Sequence, residues 1–326
     1  MEYLSAQFAK QARSDLGMAQ AIAIANESGD ALGTAMFLAQ QSMEKQFKSA
    51  LLMVGEAIEA GLEGKFVSGV LNHVIHHRPA TFYQKCLEGI GRPVGLGLDD
   101  STKTMLGQLE QIGKIWDPDS YDTQVQNLLF QYSLGVYLQP DLLDRLYSWL
   151  CSVFEKINKC DNSSEFPPIP FFNQGAPDSM DSIISDRQKL EQYRASSAAH
   201  PLHASERHVL ERLYGKRLGQ INQIANRRRL SPKATDRGDI MLQILEFGTF
   251  AVALHSPKYV YLVPHLVLGR YPAMLPTGQI STEVYASQRN MILYQLFVNV
   301  QYDHDRLCKV NEQIGRLCEA YREGWR

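Results

Sequence analysis

The stretch Ala35-Met-Phe-Leu-Ala-Gln-Gln-Ser-Met-Glu-Lys-Gln-Phe-Lys-Ser-Ala-Leu-Leu52 constrains the fold of this chain more than any other. At helical period it has two faces. Met36, Phe37, Ala39, Met43, Phe47, Ala50 and Leu51 recur at three- and four-residue steps and form an apolar stripe. Gln40, Gln41, Glu44 and Lys48 form a polar seam beside it. Glu44 lies four residues before Lys48, the favourable order for a helical ion pair. A polar seam on an apolar helix is either a solvated edge or the lining of a site between packed helices. Residue types alone favour the solvated edge.

The segments around it also read as helices. Residues 2–27 place Leu4, Phe8, Ala12, Leu16 and Ala19 on one side. Asn26 to Asp30 is a turn, with Gly29 suited to a helix C-cap. The second helix runs from about residue 30 to 60. Two helices joined this tightly must pack antiparallel. A third helix is expected from about 66 to 89, bent at Arg78-Pro79, followed by a glycine-rich loop from 89 to 100. Helical pieces follow at 121–138 and 140–158, then a proline-rich loop at 160–177. Charged helices are expected over 178–197 and 204–226. Residues 240–254 are apolar, and prolines 264, 272 and 276 enforce a loop through Arg270-Tyr271-Pro272. One long helix is expected from Ser281 to about Tyr321, with Ser281-Thr-Glu283 as its N-terminal cap.

Flanked by Gln11-Ala-Arg-Ser-Asp-Leu-Gly-Met-Ala19, the opening stretch resembles the first two helices of a HEPN domain. These are the "higher eukaryotes and prokaryotes nucleotide-binding" modules. The residues that carry the likeness are Asp15-Leu16 in helix one, then Phe37, Leu38, Ala39, Gln40, Gln41, Glu44 and Lys48 in helix two. A weaker match is Arg270-Tyr-Pro272. The resemblance implies an all-α, antiparallel HEPN-like bundle with an inserted second helical lobe. Residues 1–100 would supply helices one to three, 101–240 the insertion or second lobe, and 241–326 the part that closes the bundle. Two consecutive bundles divided near 160–177 are the alternative.

The same resemblance implies a nucleotide-, RNA- or protein-binding role in a defence or toxin–antitoxin setting, and self-association as a homodimer. Many such modules are metal-independent ribonucleases that use an arginine followed four to six residues later by a histidine. General acid–base chemistry on the 2′-hydroxyl, with a cation on the phosphorane, explains that pairing. Here only Arg194 with His200 fits the window, and His200-Pro201 is a poor context for a motif helix. A degenerate, non-catalytic member is therefore expected, with an Arg194/His200 ribonuclease and a ligand-free adaptor as rivals.

Other clusters are less specific. His73 and His77 share a helix face beside Arg78. No further ligand accompanies them, so a solvated helix end is favoured over a metal, with a phosphate-contacting patch as the functional variant. Arg270 could approach Glu44 and Lys48, either as part of a ligand site or beside a buried ion pair that fixes packing; the packing role is favoured. Arg227, Arg228 and Arg229, with Lys233 and Arg237, are the strongest local basic run and could hold a phosphate backbone. Tyr271 keeps apolar company and reads as core.

Composition excludes some classes. The net charge is −2, so nucleic-acid binding must rest on a local patch. Five cysteines without a CxxC pair argue against a disulfide framework or a zinc knuckle. There is no run of 18 apolar residues, no basic leader and no phosphate-cradling glycine loop. A cytoplasmic protein without cofactor or metal, and with no membrane association, is the expectation.

Overall fold

The computed structural model describes residues 4–61, 188, 201–230, 239–241, 243–244, 247–248, 262–275 and 278–323. Among the described residues the fold is all-α; no strand is present, and the one β-bridge joins Met274 to Ile280. The helices are α1 (Leu4–Ala25), α2 (Leu32–Gly61), α3 (Pro201–Leu230), α4 (His265–Leu268), α5 (Ser281–Ser287), α6 (Arg289–Tyr294) and α7 (Gln301–Glu323). A π-helical segment, Gln295–Val300, joins α6 to α7. The expected helices and loops between residues 66 and 197 lie outside the described residues, Gln188 excepted.

α1 and α2 pack antiparallel. Ala12 accepts a bond from Ser42 Oγ at 2.7 Å, and Ser5 accepts one from Ser49 Oγ at 2.8 Å. Near the far end, Glu56 accepts bonds from the amide and hydroxyl of Ser5. The turn between the helices needs Gly29, whose φ is 85°. It lies four residues beyond the end of α1, so it shapes the connection rather than capping the helix. A Cβ there would stand 2.7 Å from the backbone of Ala286 on α5, so the glycine also permits close approach.

α7 runs parallel to α2 and antiparallel to α1. His304 and Asn311 meet Gln46, and Cys318 reaches the Met53 carbonyl. Gln20 on α1 donates to the Leu296 carbonyl and to Gln301. α1, α2 and α7 thus build one three-helix core. Ala12, Leu16, Ala19, Met36, Met43, Phe47, Leu51, Leu296, Leu307 and Ile314 are buried in it.

The expected closing helix is interrupted. Gln288 breaks it at φ −107°, and the chain then winds into the π-turns of 295–300. Ser281 is not its cap. Its hydroxyl turns back to accept the Ala273 amide at 3.1 Å, and burial of the residue is complete. Ile280 takes the cap position, with its amide donating to Glu283 Oε2 at 3.3 Å. Only the acidic half of the expected capping box is therefore realised.

Candidate functional site

The polar seam of α2 is buried except at Gln41, which is half-buried. Gln40 is fully enclosed, Glu44 is 5% exposed and Lys48 is 8% exposed. The solvated edge favoured by residue type is thereby overturned, because neighbouring chain covers the seam. Lys48 Nζ lies 2.7 Å from Glu44 Oε1. The other carboxylate oxygen accepts from Gln40 Nε2 at 3.0 Å and from Gln41 Nε2 at 3.4 Å. Gln41 Nε2 also bonds Gln40 Oε1 at 2.7 Å. One face of α2 therefore carries a run of amide, carboxylate and ammonium. A second pair, Lys45 with Asp15, ties α2 to α1 through the acid of helix one.

Arg270 shares that side of the molecule but does not join the pair. Its guanidinium stacks over Phe37 at 5.6 Å and over Tyr271 at 5.4 Å. Phe37 precedes Glu44 by seven residues, or about 10 Å of helix axis. Among the described residues Arg270 makes no ion pair. Its position is fixed by the preceding glycine: a Cβ on Gly269 would stand 2.5 Å from the Gly33 carbonyl and 3.2 Å from Phe37 Cβ. The arginine therefore belongs to an exposed surface. Tyr271 is 57% exposed and Met274 is 69% exposed, with Val267 and Ile280 also open. The expectation that Tyr271 is core fails: its amide bonds the Val267 carbonyl at the end of α4, and its ring lies beside the Arg270 guanidinium on the open surface.

Between α2 and α7 lies a polar brace that sequence reasoning missed. Gln46 Nε2 is 3.0 Å from His304 Nε2 and 3.3 Å from Cys308 Sγ, and Asn311 donates to Gln46 Oε1 at 3.0 Å. A signal existed: Gln46 interrupts the stripe of Ala39, Met43 and Ala50, and His304 and Asn311 are one heptad apart. The brace disfavours a thiolate. Burial pushes the Cys308 thiol up, against the opposing pull of Arg13. His304 Nδ1 faces Cys308 Sγ at 3.8 Å.

His265 is a second buried imidazole. Its Nδ1 lies 2.6 Å from Tyr285 Oη, and burial lowers its pKa to about 3 while raising that of Tyr285 well above 10. Both groups are neutral at pH 7 and pin α4 to α5.

α3 carries the basic run on an open face. Arg212, Gly215, Lys216, Gly219, Asn222, Gln223, Asn226, Arg227 and Arg229 are exposed, while Ile221 and Ile224 are buried. No acidic residue occurs from Arg212 to Leu230. Arg217 is turned aside to Gln243 at 2.7 Å. Side-chain positions at Gly215 and Gly219 open onto empty space, so a ligand can approach the helix backbone closely. Tyr214 is the one aromatic on this stretch, and it packs edge-on against Phe247.

Arg194, His200, His73, His77 and Arg78 lie outside the described residues, as does the Arg228 side chain. Among the described residues no group of three or more His, Cys, Asp or Glu could hold a metal ion, and no helix is long and apolar enough to cross a membrane. No family model, curated protein or solved structure matches the chain.

Proposed function

We propose that this chain is a HEPN-like helical protein that binds RNA without cleaving it, and that the outer face of α3 contacts the phosphate backbone. The observation that carries this reading is the exposed, acid-free run from Arg212 to Arg229 in a chain of net charge −2. The face offers cations and amides but no exposed ring for stacking. Such chemistry suits backbone contact with a helical RNA rather than base recognition. The resemblance of helices one and two adds the defence or toxin–antitoxin setting, and five cysteines without a CxxC pair support a cytoplasmic location.

Fluorescence anisotropy with a 16-base-pair RNA duplex tests it. Raising KCl from 50 to 200 mM should weaken binding about tenfold or more, as several released counterions require. Arg227→Glu with Arg229→Glu should weaken it at least as much at 50 mM. Binding indifferent to both changes would dismiss the reading. RNA cut by the wild type in EDTA, but spared by His200→Ala, would install the ribonuclease alternative.

Self-association is a second reading, favoured by the surface around Arg270. Arg270 lies over the exposed Tyr271, the exposed Met274 is bridged to Ile280, and the exposed Glu283 accepts the Ile280 amide. A two-fold axis through this surface would set each arginine against the partner's acid. Arg270→Glu or Glu283→Arg alone should give monomers by sedimentation, and the two together should restore the dimer. A dimer untouched by the single changes would place its interface elsewhere.

A further inference from the structure

Among the described residues, Arg306 is a buried cation that lies apart from the seam of α2. It is 8% exposed, and its Nε is buried with no hydrogen-bond partner. Among the described residues its guanidinium forms no ion pair. Asp303, three residues earlier and 2% exposed, does not reach it. Leaving a guanidinium nitrogen buried without an acceptor is costly, and an anion reaching the fork from its open end would supply one.

The placement is informative. His304, Asn311 and Cys318 turn toward α2, and Gln301 turns toward α1. Two residues beyond His304, about 200° further round the helix, Arg306 projects from the opposite side. Val310 and Leu317 flank it and are buried. α3 is the other described helix packed against α7, and it contributes no acid from Arg212 onward. No carboxylate from that stretch is therefore available to neutralise Arg306. A planar fork of donors in such surroundings matches a phosphoryl group in a two-point contact.

We propose that Arg306 seats a phosphoryl group, from free phosphate or from a nucleotide, on the side of α7 away from α2. The site is separate from the outer face of α3 and does not require that face to bind RNA.

Thermal unfolding of the full chain in phosphate-free buffer tests it, with inorganic phosphate, pyrophosphate and magnesium-free ATP as separate probes at 10 mM. The wild-type midpoint should rise by about 3–6 °C with at least one of them. A response to phosphate identifies the free ion, and a response confined to pyrophosphate or ATP identifies a nucleotide. Arg306→Met should lose the response and unfold at or above the wild-type midpoint without ligand. Arg306→Lys should keep part of the response. Arg227→Glu with Arg229→Glu should respond like the wild type, which separates this site from the RNA-binding face. A wild type indifferent to all three probes would overturn the proposal. So would an Arg306→Met protein that still responds, or one that unfolds well below the wild type and is rescued by lysine.

Discussion

Lys48→Met should destabilise the protein by about 3–5 kcal/mol, because it removes the ammonium from a carboxylate that cannot regain water. Glu44 is 5% exposed and lies 2.7 Å from that ammonium. Gln40 and Gln41 still donate to it, but neutral amides replace only part of an ion pair. Glu44→Gln combined with Lys48→Met removes both charges and should recover most of the loss. Urea titration of the two variants beside the wild type measures the difference. A single-variant loss under about 1 kcal/mol would mean that the seam is wetter than its geometry allows.

Acid should weaken the wild type more than a His265→Gln variant. The unfolded imidazole takes up a proton below about pH 6.5, whereas the folded one resists until about pH 3. The stability that depends on neutral His265 is therefore complete above pH 6.5 and is lost progressively as pH falls toward 3. Between pH 7.5 and 4.5 this amounts to about 2–3 kcal/mol. Glutamine does not titrate and can still bond the Tyr285 hydroxyl, so the variant should show a shallower decline over that interval. Equal slopes for the two proteins would assign the acid sensitivity to other groups.

The helical class and the α1–α2 hairpin were legible in the sequence. Leu16, Ala19, Met43 and Phe47 recur at a spacing that only a helix turns to one side, and Gly29 marks the turn. Whether the seam was wet or dry was not legible. Gln40, Glu44 and Lys48 look the same on a solvated edge as under a covering layer, and local pattern does not state what covers them. The brace escaped for a related reason: Gln46 and His304 are 258 residues apart, so neither residue's neighbours reveal the other. Tyr271 was not legible as surface, because ring and apolar company suggest burial, whereas it follows α4 at a turn that bonds back to Val267. Arg227 and Arg229 were legible as a basic run. Their exposure on an acid-free helix face required coordinates.

The union of residues 4–61 with residues 289–323 has a consequence for synthesis. As the chain leaves the ribosome, the α1–α2 hairpin emerges more than two hundred residues before the helix whose His304 and Asn311 meet Gln46. For that interval the hairpin presents an incomplete, adhesive face to the cell. A nascent chain halted near residue 200 should therefore hold chaperones that one released at full length no longer engages.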